Sequence, residues 1–225
     1  MAIEVNPLPD GFAAEVVGAD MNHWQDDAPF ETIHGAFLNH GVIVVRDQTL
    51  TPDAQIAFGR RLGELHGHVL EKFLLPGHPK FLVLSNRLKN GEPIGVADAG
   101  RHWHSDMSYT QRPPLGSMLY ALEIPPVGGD TLFVDMQAVY EALPTDTKRR
   151  IDGLKGVYNY VRDYEKARKR NPNRPRSARN NWRPCLKSRI RWCEPIPIPD
   201  ARRFTSMKVT RSASTAWRRR RAKRC

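Results

Sequence analysis

Phe30, Ile33, Phe37 and Leu38 recur at helical spacing behind Asp27 and Pro29, and Gly41 follows them. This pattern predicts a capped amphipathic helix that stops at the glycine. The β-branched run Val42–Val45 comes next and reads as a short buried strand. Thr51, Pro52 and Asp53 open a second helix, with Ala54, Ile56, Ala57, Phe58 and Leu62 on its apolar side and Gly63 past its end. Phe81–Leu84 and Ser117–Leu122 are further predicted strands, the second one following Pro113 and Pro114. Gly128 and Gly129 mark a tight turn into a strand at Thr131–Val134, and Asp135 caps a short helix from Met136 to Leu143. Early helices followed by short, turn-separated strands predict an α+β protein built around a β-sandwich or barrel. The strand–helix alternation of a doubly wound sheet is missing, as is a glycine-rich phosphate loop.

Past Asp163 this pattern fails. Residues 163–225 hold no sustained period of 2 or 3.6 and are rich in Arg, Pro, Ser, Trp and Cys. Residues 1–162 carry 14 Lys and Arg against 20 Asp and Glu, whereas residues 163–225 carry 21 against 4. The overall charge of +11 therefore averages an acidic body and a strongly basic tail. The chain is accordingly divided into a partial domain, residues 1–163, and a basic Arg-rich tail, residues 164–225. The tail's composition does not build a packed core. It reads as disordered, or as an out-of-frame translation of a GC-rich coding sequence. Cys185, Cys193 and Cys225 all lie in the tail, at spacings that match neither a zinc pattern nor a disulfide framework. The N-terminus lacks a secretory signal, and no apolar run approaches the roughly 18 residues that cross a bilayer. A cytoplasmic protein with no membrane partner is the expectation, and homo-oligomerisation is left open.

The candidate chemistry lies in Arg101-His-Trp-His-Ser-Asp106. On a strand, residues two apart share a face at about 6.6 Å, so His104 and Asp106 can converge on one metal ion. An imidazole and a carboxylate begin the two-histidine, one-carboxylate set that favours non-haem Fe(II). His102 would share that face. It lies roughly 13 Å from Asp106 along a strand, too far for all three to chelate with bonds of about 2 Å. Trp103, on the opposite face, is expected to pack into the core. Thr131, after the Gly128-Gly129 turn, could hydrogen-bond an anionic co-substrate, or simply close a hairpin. His66 and His68, just past the second helix, could meet an anionic substrate or sit as surface residues at a helix exit.

Taken in order, several segments resemble the taurine dioxygenase / 2,4-dichlorophenoxyacetate dioxygenase family of Fe(II)- and 2-oxoglutarate-dependent enzymes. They are Gly41-Val-Ile-Val-Val-Arg-Asp-Gln48, Phe58-Gly-Arg-Arg-Leu-Gly-Glu-Leu-His66-Gly-His68, Trp103-His-Ser-Asp106-Met-Ser-Tyr109, and Pro113-Pro114 leading to Gly128-Gly-Asp-Thr-Leu132. The match is collinear over residues 1 to about 165. The resemblance implies a double-stranded β-helix (jelly-roll) core with flanking helices, incomplete at its C-terminal side. It implies iron held by His104, Asp106 and a distal histidine, 2-oxoglutarate contacted by Thr131 and a distal arginine, and a substrate anion met by His68. A substrate-contacting asparagine of the taurine enzyme falls near Gly100 here, which points away from taurine itself. The implied reaction uses O2 and 2-oxoglutarate to hydroxylate a small organic acid (a sulfonate, sulfate ester or aryloxy acid), releasing succinate and CO2.

The distal histidine and arginine are the part of this pattern that the sequence does not supply. No histidine follows His104, and no tail arginine can be assigned to 2-oxoglutarate. The chain as written is therefore expected to bind iron poorly, and its competence as an enzyme is left open. A second reading takes it as a non-catalytic protein with a nucleic-acid-binding tail. Lys166–Arg170 and Arg218–Arg224 would neutralise phosphates while Trp182, Trp192 and Trp217 stack on bases. It is the weaker reading, because basic patches of this kind usually bind without specificity.

Overall fold

The computed structural model describes residues 2–9, 12–23, 25–97, 99–100, 103–170, 188–191 and 206–210. Strands β1 (Glu4–Pro7) and β2 (Ala14–Val17) pair antiparallel, and β2 pairs parallel with β3 (Val42–Val45). Helix α1 (Asp27–His40) connects β2 to β3 and presses Phe30, Ile33, Ala36 and Phe37 against the sheet. Its last turn closes through the Gly41 amide onto the Phe37 carbonyl, with Gly41 at φ 72°, a conformation that disfavours a side chain. Helix α2 (Pro52–Leu62) begins as its sequence predicts: the Thr51 hydroxyl accepts from the Ala54 amide, and proline occupies the first turn. The largest fully buried side chains are Phe37, Phe58, Met21, Ile33, Ile43, Val16 and Val45. One core therefore joins both helices to β2 and β3.

A buried polar contact locks this layer. The Gln48 side chain accepts from the Met21 amide at 2.9 Å and donates to the carbonyls of Ala19 (2.7 Å) and Arg46 (2.8 Å). The Tyr120 hydroxyl donates to the Gln48 carbonyl and accepts from the Leu50 amide, tying in a distant strand. That strand is β8, Met118–Ala121. Before it come two short ribbons, β4 (Leu74–Leu75) with β5 (His78–Leu82), and β6 (Leu88–Lys89) with β7 (Glu92–Pro93). The strand predicted at Phe81–Leu84 is thus shifted three residues towards the N-terminus at its start.

Helices α3 (Met136–Glu141) and α4 (Thr145–Ile151) follow, then β9 (Lys155–Tyr158) and α5 (Tyr160–Arg170). Asp135 caps α3 through the amides of Gln137 and Ala138, as expected. Asn159 caps α5 through the Arg162 amide. Residue 163, where the sequence pattern changes, lies inside α5. In the tail, β10 (Ser188–Arg191) pairs with β9, and β11 (Ser206–Thr210) lies parallel between β3 and β8. Among the described residues, the largest sheet thus runs β1-β2-β3-β11-β8, accompanied by three two-stranded ribbons.

Three local expectations are corrected. Thr131–Val134 forms no strand, and Leu132, Phe133 and Val134 are exposed. Gly128 and Gly129 do turn the chain at φ 78° and 74°, but the segment has no sheet to join among the described residues. Residues 103–105 are likewise not a strand, and they lead into a turn at 106–109. Trp103 therefore has no inward face to occupy and is 66 % exposed rather than packed in the core. His102 lies outside the described residues. Among the described residues, no helix is long and apolar enough to cross a membrane.

Candidate metal centre

His104 and Asp106 sit at the mouth of the turn that carries the chain towards β8. Met107 adopts φ 50°, and its carbonyl accepts from both the amide (2.9 Å) and the hydroxyl (2.8 Å) of Thr110. This reversal brings the two preceding side chains together without a strand. His104 Nε2 lies 3.3 Å from Asp106 Oδ1, and both side chains remain about half exposed. Two cis ligands with bonds of about 2.1 Å to one ion stand about 3 Å apart, so this gap fits a shared cation. An imidazole nitrogen and a carboxylate oxygen are also the donor types that Fe(II) accepts.

Ser117, one residue before β8, donates from its hydroxyl to Asp106 Oδ2. The carboxylate thus has one oxygen held by the serine and the other turned to His104. The His104 hydrogen bond, followed by that of Ser117, holds the Asp106 carboxyl below its ordinary range against an opposing burial effect. Asp106 is therefore an anion at neutral pH. Sequence reasoning missed Ser117, because an isolated serine before a strand carries no local signal.

His68 is half-buried and close enough for its charge and that of Asp106 to interact. Burial holds its imidazole below the usual 6.5, the Asp106 charge opposing this only in part. Its Nδ1 accepts from the Leu70 amide at 3.1 Å, which leaves the proton of the neutral ring on Nε2. The ring meets Tyr160 of α5 edge-on at 6.3 Å, and Tyr160 contacts Tyr109 at 4.5 Å and Tyr164 at 5.9 Å. An aromatic wall thus stands beside His68, and it contains Tyr109 from the same turn as Asp106. His66 is exposed. Thr131 is exposed on the irregular stretch before α3. Among the described residues, no group of three or more His, Cys, Asp and Glu side chains is arranged to hold a metal ion. The pair His104–Asp106 is what the described residues bring together.

A profile of the taurine catabolism dioxygenase TauD, TfdA family matches residues 4–205, further along the chain than the collinear motifs reach. The alpha-ketoglutarate-dependent 2,4-dichlorophenoxyacetate dioxygenase of Cupriavidus pinatubonensis is 36 % identical over 169 residues, covering 70 % of this chain and 58 % of its own length. The pentalenolactone F synthase of Streptomyces avermitilis is 35 % identical over 169 residues, covering 73 % and 55 %. Among solved structures, a taurine dioxygenase from Burkholderia xenovorans superposes with a TM-score of 0.61 at 25 % identity, over 91 % of this chain and 62 % of that one. The chain spans little more than half the length of these two curated relatives. The site motif, the fold likeness and the profile agree: this chain belongs to the taurine catabolism dioxygenase TauD, TfdA family.

Proposed function

We propose that the chain is part of an Fe(II)- and 2-oxoglutarate-dependent dioxygenase that hydroxylates a small organic acid and forms succinate and CO2. The observation that carries this reading is the 3.3 Å approach of His104 Nε2 to Asp106 Oδ1, with Ser117 holding the second carboxylate oxygen. Ferrous ion, when bound, supplies the redox chemistry that couples O2 to decarboxylation of 2-oxoglutarate and oxidation of a C–H bond. The roles of the residues follow from their chemistry. His104 and Asp106 hold the ion, and the Ser117 hydroxyl keeps the carboxylate from rotating away. His68, neutral and protonated on Nε2, offers one directed N–H to the substrate's anionic group. Thr131, exposed before α3, is assigned to 2-oxoglutarate by resemblance.

One curated relative is named for an aryloxy acid, 2,4-dichlorophenoxyacetate, which supports a small organic acid as the substrate class. Sulfonates, sulfate esters and aryloxy acids are the classes to screen. We also propose that the jelly roll is completed only in a longer chain, because the described residues form one five-stranded sheet and three ribbons. Anaerobic addition of Fe(II) and 2-oxoglutarate tests the proposal. Because the chain is expected to bind iron poorly, a faint visible charge-transfer band at high Fe(II) is expected, and it disappears in Asp106→Ala. A band of equal strength in that variant would remove Asp106 from the site and the proposal with it.

A further inference from the structure

We infer that Tyr120 is a positioning residue for the metal centre: its hydroxyl, bonded to the chain at Gln48 and Leu50, fixes the register of β8 and so holds Ser117 against Asp106. This rests on the metal reading of His104 and Asp106.

Strand β8 is only four residues long, and among the described residues it is hydrogen-bonded on one side, to β11. A backbone ladder repeats along its length, so side chains must decide where such a strand stops sliding. Met118 and Tyr120, two residues apart, share one face, and both pack against the core of the N-terminal layer. The Met118 methyl lies over Gly59 of α2, 3.9 Å from where a Cβ would stand. That contact alone leaves play, because an unbranched thioether adapts to small shifts.

Tyr120 supplies the missing direction. Its hydroxyl donates to the Gln48 carbonyl at 3.1 Å and accepts from the Leu50 amide at 3.2 Å. One oxygen must meet a donor and an acceptor at once, which restricts the ring to one placement. The receiving loop is itself held, since the Gln48 side chain bonds to Met21, Ala19 and Arg46. A slip of β8 by one residue would bring Leu119 or Ala121 to this place, and neither carries a hydroxyl. The Gln48 carbonyl and the Leu50 amide would then lose their bonds to Tyr120, which disfavours the slip.

The same register decides where Ser117 points. Alternation turns Ser117 away from the face of Met118, and its hydroxyl donates to Asp106 Oδ2. A one-residue slip would reverse that face and move the serine about 3.3 Å along the chain, ending the bond. Asp106 Oδ1 is the oxygen turned to His104, so Ser117 alone keeps Oδ2 from swinging towards a bound ion. Tyr120 stands three residues from Ser117, about 10 Å along an extended chain, so it acts on the carboxylate only through the serine.

A double-mutant cycle on the full chain tests this, with Mn(II) affinity read by electron paramagnetic resonance. Tyr120→Phe keeps the ring and removes both bonds. The expected loss of affinity is several-fold, below the roughly tenfold at which partners bonded directly to a ligand begin. In the Ser117→Ala background the same substitution should cost nothing further, because the group it positions is gone. Ile33→Val trims the same core from α1 without touching Tyr120, and it should lower the urea midpoint while leaving Mn(II) affinity in place. Unchanged affinity in Tyr120→Phe, an equal loss in both backgrounds, or an equal loss in Ile33→Val overturns the inference. Asp106→Ala distinguishes the two levels. If it weakens Mn(II) binding and Tyr120→Phe does not, only the role of Tyr120 falls; if it leaves affinity unchanged, the metal reading falls and this inference with it.

Discussion

The layer built from β1, β2, α1, β3 and α2 and the stretch from residue 103 to residue 158 solve different problems. In the first, the apolar pattern is satisfied internally: Phe37, Phe58, Ile33, Ile43 and Val45 are almost wholly buried. In the second, Leu122, Val127 and Leu132 are each more than two-thirds exposed, and Trp103 nearly so. Yet the second region holds the candidate chemistry. His104 and Asp106 are positioned by one turn and one serine rather than by a sheet. Stability and site geometry are thus carried by separate parts of the chain. Apolar surface of this extent around a site normally meets a partner surface. The chain also covers little more than half the length of the curated relatives described above.

The sharpest test of this contrast is a pair of truncations. Phe58→Ala removes a side chain that is 1 % exposed and packs against Phe30 at 5.5 Å. A loss of about 3–5 kcal/mol is expected in urea unfolding. The corresponding Leu132→Ala, at a position 71 % exposed, should change stability by no more than about 0.5 kcal/mol. A large loss at Leu132 would mean that this face is covered, and the contrast would break.

Asp106→Ala makes the complementary case. It should weaken Mn(II) or Fe(II) binding by at least about tenfold while leaving the urea midpoint in place. Ser117→Ala should weaken metal binding less, with Ser117→Thr restoring it, since the hydroxyl acts only on the second carboxylate oxygen. A fall in stability without a change in metal affinity would make Ser117 a structural residue.

Gln48→Ala strips partners from the Met21 amide and the Ala19 carbonyl inside the N-terminal layer, at an expected cost of about 1–3 kcal/mol. Thr51→Ala removes the α2 cap and should cost about 1 kcal/mol.

The smallest effect expected is that of pH. Because burial lowers the His68 pKa from 6.5, the unfolded chain takes up this proton before the folded one does. The contribution of His68 is therefore intact above about pH 6.5 and declines as pH falls through the lower, folded value. Urea midpoints measured on either side of this window should differ more in the wild type than in His68→Asn. Equal differences would show that His68 is not a buried imidazole.

Helix α1, strand β3, helix α2 and the Asp135 cap of α3 were legible along the chain because their signals are local. A helix closes its own hydrogen bonds, and its caps and terminal glycines stand next to the residues they serve. The pairing of His104 with Asp106 was legible too, but its geometry was not. Two residues apart is close enough to meet on a strand or at the entrance to a turn, and the positive φ of Met107 decided for the turn. Thr131–Val134 has the composition of a strand and forms none, because a strand is completed only by a neighbour with free edges. Ser117 and Tyr160 reach the site's residues across 11 residues of chain or more, and no periodicity encodes such contacts. The sequence by itself determined helices α1 and α2, the start of α3, the strand β3 and the two candidate metal ligands, all of which depend on residues a few positions apart. Tertiary structure alone decided which strands found partners and which distant side chains close on the carboxylate, because both require separate parts of the chain to meet in space.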